Sequence, residues 1–154
     1  MSKTNGSDAT PVLGNQLCFA VYSTAHAFNR LYRQHLDAIG LTYPQYLVLL
    51  ILWERDGLMV KDLGERLHLD SGTLTPLLKR LEASGLITRN RDPADERQVR
   101  VVLTRDGAAL REKAAAIQHE IFAATGCSSD ELAALKGALL DLRDNLNAAS
   151  RVFP

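Results

Sequence analysis

The residues of this 154-residue chain best placed to do chemistry are two thiols, with phenols spaced around the first of them. Cys18 lies in GNQLCFAVYSTAHAFNRLYRQHL (14–36), with Tyr22 about one helical turn later and Tyr32 two to three turns beyond. Cys127 lies in ATGCSSDE. The thiolate is the nucleophilic form of cysteine, and phenol donors or a helix N-terminus favour it. A cysteine in an apolar stretch is otherwise only a small hydrophobe. Each thiol therefore reads as inert, metal-linked or redox-active.

Metal chemistry finds no support. His26, His35, His68 and His119 have no ligand spacing, and His26 and His35, nine apart, fall about 180° around a helix from one another. There is no CxxC, HExxH, glycine-rich phosphate loop or Ser/His/Asp arrangement. The expectation is a protein with no cofactor and no metal, and not an enzyme.

Composition narrows the class. Hydrophobic residues make up 46% and charged residues 23%, ordinary for one globular domain. No apolar run approaches the roughly 20 residues that span a bilayer, so no membrane partner is expected. Residues 1–13 carry no basic segment followed by an apolar one; they read as a mobile arm rather than a secretory leader. The expected location is the cytoplasm, where structural disulfides are rare. Net charge is zero, but residues 61–105 hold nine basic against seven acidic side chains. Within 74–91 the balance is Lys79, Arg80, Arg89 and Arg91 against Glu82 alone. A phosphate-facing surface would sit there.

The elements that must position these residues are six helices and a hairpin. A first helix spans about 14–38 and stops near Gly40. Thr42, Pro44 and Gln45 form the start of a second, buried helix with a capping box. A short helix covers about 60–68. Asp70, Ser71 and Thr73 all offer caps for the next, and Pro76 argues for a start near Thr73, since proline lacks the donor of a helix interior. LITR and RQVRVVLT read as strands joined by the loop NRDPADE. A helix from Thr104 to about Ala124 follows, then one opened by the box Ser128–Glu131. Along that last helix Leu132, Leu135, Leu139, Leu142 and Leu146 recur at spacings of 3 and 4, a seam suited to a second copy of the chain.

Helix, turn, helix and ribbon in that order predict a winged helix-turn-helix. The fold class is mainly α with a small β-hairpin wing, dimeric through intertwined terminal helices. Residues 14–40 and 104–150 would dimerise and 41–103 would bind DNA, within one structural domain. The second helix of the motif enters the major groove, where Ser71, Thr73 and Thr75 would meet base edges with Lys79 and Arg80 behind them. Arg91 and Arg97 flank the wing loop, where arginine suits the adjacent minor groove. Asp95 and Arg97 would pair to brace that loop, leaving Arg97 to brace, to touch DNA, or both.

The stretch LTYPQYLVLLILWERDGLMVKDLGERLHLDSGTLTPLLKRLEASGLITRNRDPADERQVRVVLTRDG resembles the core of the MarR family of dimeric transcriptional regulators, and DPADERQVRVVLT resembles its wing motif. The resemblance implies a homodimer on a palindromic double-stranded operator. Within that family, a cysteine near the start of the first helix resembles the OhrR-type sensors of organic hydroperoxides. Those sensors carry a thiol hydrogen-bonded by two tyrosines, matched here by Cys18, Tyr32 and Tyr43. Fourteen residues of helix span about 21 Å, so on this reading Tyr32 comes from the partner subunit, and Tyr43 from either. Tyr22 projects toward the same face as Cys18. The two-cysteine members further imply that oxidised Cys18 is resolved by Cys127 in an intersubunit disulfide that releases the operator, with the loop at Gly126 moving. Two other readings stay open: a MarR-type repressor released by a small aromatic ligand, with the cysteines incidental, and a thiol peroxidase.

Overall fold

The computed structural model describes residues 11–151. Most of the expected N-terminal arm, and the end of the terminal RVFP, lie outside the described residues. The first helix is shorter than 14–38. Gln16 is extended, so α1 runs Leu17–Leu36 between two 3-10 turns at Leu13–Asn15 and Asp37–Ile39. Gly40 then closes it at φ +70°, a backbone region open to glycine at little cost.

Helix α2 (Tyr43–Glu54) starts on the expected capping box. Gln45 N–H donates to Thr42 Oγ1 at 3.4 Å, and Thr42 N–H donates to Gln45 Oε1 at 2.9 Å. The helix is apolar on nearly every side, and Tyr46, Val48, Leu49, Ile51 and Leu52 are all buried. Its indole end is fixed, since Trp53 Nε1–H donates to Gly107 O at 2.9 Å.

The next elements are β1 (Leu58–Met59), α3 (Val60–Leu67) and α4 (Ser71–Ala83). Strand β1 was not anticipated from the sequence. The start of α4 departs from the expectation near Thr73: Asp70 is the cap, its side chain accepting from Thr73 N–H at 2.8 Å, and Pro76 lies inside the helix. Gly72, four residues before Pro76 and so the residue whose carbonyl loses its helical donor, is exposed. Between α3 and α4, His68 takes a left-handed turn at φ 54°.

Strands β2 (Ile87–Arg91) and β3 (Val99–Leu103) form the expected ribbon, and β1 adds on the far side of β3 in an antiparallel sheet of order β1-β3-β2. Leu58 and Arg89 both stand opposite the buried Val101. Helix α5 (Arg105–Ala124) follows, and Gly107 makes its close approach possible: a Cβ there would lie 2.0 Å from Leu86 O. Helix α6 (Ser129–Ser150) begins on the second expected box, with Ser128 Oγ accepting from Glu131 N–H at 3.2 Å. The order of elements is that of a winged helix-turn-helix.

The chain divides into two compact units between Ala114 and Ala115. In the first, Leu36, Leu41, Tyr46, Leu49, Leu63, Leu74, Leu78, Leu81, Ile87 and Val101 form the core, each burying area worth roughly 1.5–3 kcal/mol. In the second, α6 buries none of its side chains, and Leu135, Leu139 and Leu146 are exposed.

The turn at His68 generates a test. A non-glycine residue in the left-handed region costs roughly 1 kcal/mol, partly offset by the unfolded-state freedom that glycine adds. His68→Gly is expected to raise Tm by a few degrees in thermal denaturation. A fall of that size would show that the imidazole makes a stabilising contact outweighing the strain.

Candidate functional site

The side chains expected to face DNA lie on α4, β2 and the wing. Ser71 and Thr73 are exposed in the first turn of α4, Thr75 is half-buried, and Lys79 and Arg80 are exposed two turns on. Arg91 is exposed at the end of β2, and the Arg97 side chain is 91% exposed in the wing. Ser71, Thr75 and Arg97 line one cleft of about 740 Å³ between α4 and the wing, with Met59, Leu74 and Val99 as its floor. Arg89 lines the same cleft, but its guanidinium is already engaged. Both Nε and Nη2 donate to Glu82 Oε2, at 2.9 and 2.8 Å, holding the Glu82 carboxyl below its usual range and tying β2 to α4. The basic cluster of 74–91 therefore offers Lys79, Arg80 and Arg91.

The expected Asp95–Arg97 pair is present, with Arg97 Nε donating to Asp95 Oδ1 at 3.2 Å and the Arg97 backbone N–H to the same oxygen at 3.1 Å. With one partner so exposed, such a pair contributes about 0–1 kcal/mol, so Arg97 can exchange it for a phosphate. A second brace was missed by sequence reasoning. Asp92, only 8% exposed, accepts from Ala94 N–H at 2.8 Å and from Arg100 Nη2 at 3.0 Å. The other Arg100 nitrogen donates to Gly57 O. Asp56 completes the anchor, its Oδ1 accepting from Gly57 N–H at 2.8 Å and from Leu103 N–H at 2.9 Å. Sequence spacing gave no sign that one arginine would join Gly57 and Asp92.

The thiol region divides in three. Cys18 is the second residue of α1 and exposed, with its sulfur 3.8 Å from Gln16 Oε1; no phenol of the same chain bonds it. Tyr22, also exposed, lies beside Phe19 at a ring separation of 6.5 Å and meets the His26 ring edge-on at 4.4 Å. Tyr32 and Tyr43 are brought together, with ring centroids 4.7 Å apart, and Tyr46 joins them at 5.6 and 6.3 Å. Tyr46 was not singled out from the sequence, although its place one turn after Tyr43 was the available signal. Burial, then the neighbouring Tyr46 and Tyr43, pushes the Tyr32 phenol up to about 12; burial also raises Tyr43 and Tyr46. These phenols keep their protons near neutrality and stand as donors, and among the described residues no hydrogen bond engages their hydroxyls. Cys127 is half-buried in the second unit, its N–H donating to Thr125 Oγ1 at 3.3 Å and its sulfur 3.5 Å from Thr125 O. Both thiols are free, and no cluster of metal-ligating side chains occurs among the described residues.

Asp92 supplies a pH test. The Ala94 N–H bond, aided by Arg100, holds its carboxyl below the ordinary range against the opposing effect of burial. A carboxyl depressed on folding adds stability above its unfolded pKa near 3.9, and that stability is lost as pH falls through the folded value. The Ala94 amide NMR shift should titrate with a midpoint below about 3.9, and Asp92→Asn should abolish the transition. A midpoint at or above the ordinary value would contradict the brace.

Comparison with known proteins agrees with this geometry. The MarR family model matches residues 41–99. The chain is 56% identical over 148 residues to the HTH-type transcriptional regulator TtmR of Methylorubrum extorquens, covering 96% of this chain and 75% of that protein. It is 50% identical over 135 residues to the organic hydroperoxide resistance transcriptional regulator of Bacillus subtilis, covering 88% and 92%. Among solved structures, reduced AbfR bound to DNA superposes with a TM-score of 0.74 at 38% identity, covering 89% of this chain and 94% of that one. A disulfide-formed AbfR superposes with a TM-score of 0.61 at 38% identity, covering 89% and 91%. No single helix among the described residues is long and apolar enough to cross a membrane. The protein is a transcriptional regulator, and the chain belongs to the MarR family.

Proposed function

We propose that this regulator is a homodimeric repressor that releases its palindromic operator when an organic hydroperoxide oxidises Cys18. The observation that carries the reading is the Tyr32–Tyr43 pair: two phenol rings with centroids 4.7 Å apart, kept protonated, whose hydroxyls make no hydrogen bond among the described residues. Donors so placed suit a sulfur that arrives from the partner subunit. Exposure of Cys18 in the first turn of α1, beside Leu17 and Phe19, fits an apolar oxidant. The exposed leucines of α6 and the apolar face of α1 favour a dimer through the terminal helices, with 41–103 reading DNA. Ser71, Thr73 and Thr75 take base edges, Lys79, Arg80, Arg91 and Arg97 take phosphate or minor groove, and Asp95 steadies Arg97. The Bacillus subtilis relative named for organic hydroperoxide resistance, and the reduced and disulfide forms of AbfR, support the same chemistry.

The reaction balances in two steps. The Cys18 thiolate attacks the terminal peroxide oxygen; the O–O bond breaks, the sulfur becomes a sulfenic acid, and the alkoxide takes a proton to leave as an alcohol. The Cys127 thiolate of the partner then attacks that sulfur, forming the disulfide as hydroxide departs and is protonated to water. Tyr22 borders the entry on the Cys18 face.

The test is an operator shift assay paired with a non-reducing gel, with and without cumene hydroperoxide. Wild-type protein should lose its operator and run as a crosslinked dimer. Cys18→Ser should keep the operator, Cys127→Ser should give no crosslink, and Tyr32→Phe should slow thiol loss on the order of tenfold, as for one lost hydrogen bond to a charged group. Release in Cys18→Ser on adding a phenolic acid would instead favour a small-ligand switch. Peroxide turnover without operator binding would favour a peroxidase.

A further inference from the structure

The cleft between α4 and the wing has a third wall, the face of α3 that carries Lys61, Glu65 and His68. On a duplex, one sugar-phosphate strand separates the major groove from the adjacent minor groove. With α4 in the first groove and Arg97 at the second, that strand crosses the mouth of the cleft and meets the α3 wall. The charges around the cleft nearly cancel. Lys61, Arg89 and Arg97 line it with Glu65, while Glu82 and Asp95 accept from Arg89 and Arg97. Three cations thus face three carboxylates. Asp70, at the turn beside His68, spends its carboxylate on the Thr73 N–H. One added proton therefore sets the sign of the charge, and the exposed His68 is the lining residue of a type that takes one up near neutral pH. Its backbone points the same way. Among the described residues His68 alone, of the non-glycines, is left-handed, and strain of that kind clusters where a side chain has a task.

We propose that His68 is a phosphate contact, its protonated imidazole donating to the DNA strand between the two grooves, so that operator binding takes up a proton from solvent at each subunit. This inference rests on the placement of α4 and Arg97 on DNA given above. Its sign follows from linkage. A nearby phosphate favours the charged imidazole and raises its pKa in the complex above that in the free protein. The contribution to affinity is complete below the free value and is lost as pH rises through the bound one. An ordinary imidazole changes charge near pH 6.5, so the window spans neutrality. A phosphate contact reads no base, so it tightens binding to every duplex alike.

The experiment measures DNA affinity of the reduced full-length protein by fluorescence anisotropy between about pH 5.5 and 8. The probe is a palindromic duplex that the protein itself selects from a random-sequence pool. Wild-type Kd should rise on the order of tenfold across that range. His68→Asn tolerates the left-handed turn but takes up no proton, so it should bind more weakly at low pH and match wild type at the high end. At low pH its salt dependence should be shallower by about two, one contact per subunit. His68→Lys should keep the low-pH affinity over the whole range. A second measurement stands on the wild type: titration calorimetry in buffers of unlike ionisation enthalpy should count protons taken up on binding near neutrality. A wild type that takes up none, or a pH dependence that survives in His68→Asn, would overturn the phosphate contact while leaving α4 and Arg97 on DNA. Full affinity in Arg97→Gln, or no duplex bound at any pH, would overturn both.

Discussion

One guanidinium holds the wing to the rest of the winged-helix unit. Arg100 stands on the middle strand of the sheet and donates in two directions, to the carboxylate of Asp92 at the base of the wing loop and to the carbonyl of Gly57 before β1. A two-stranded ribbon on its own is marginal in water. Here it gains a third short strand and a charged crosslink at its outer end, while Arg89 and Glu82 clamp its inner strand to α4. The exposed cations of the wing and of α4 are thereby held on one braced unit.

Helix α2 shares that constraint. Its first residue, Tyr43, belongs to the phenol cluster, and Asp56, two residues past its end, bonds the backbone of β3. Twelve helical residues cover about 18 Å, and burial of most of that length leaves little room for local bending. Trp53 fixes the same end to the backbone carbonyl of Gly107 in α5, and only glycine fits there against Leu86 O. The tyrosine cluster and the wing are therefore two ends of one stiff element.

Much of this was legible in the sequence because it is local. The capping boxes at Thr42 and Ser128, the left-handed glycine at position 40 and the strand alternation around Val101 each depend on residues within four positions. What escaped is set by residues far apart in the chain. Strand β1 is two residues long and exists because β3 offers it an edge. The Arg100–Asp92 pair could not be told from Arg97–Asp95 by spacing, although burial makes the first firm and exposure leaves the second exchangeable. Arg89 counted as a free cation until Glu82 was found beside it. The Pro76 rule misplaced the start of α4 because the Asp70 cap, bonded to Thr73 N–H, sets it earlier. The three tyrosines converge only once α1 folds back on α2.

Gly126 gives the second thiol a particular mechanical character. Ser128 and Glu131 lock the start of α6 by reciprocal hydrogen bonds, while Thr125 holds Cys127 through its amide. Between them stands a single left-handed glycine with no neighbour within 4 Å of where a side chain would begin. Swinging the sulfur thus requires rotation about one backbone joint and loss of the two hydrogen bonds from Cys127 to Thr125, with no unwinding of the helix that follows. The thiol sits on a hinge rather than on a spring.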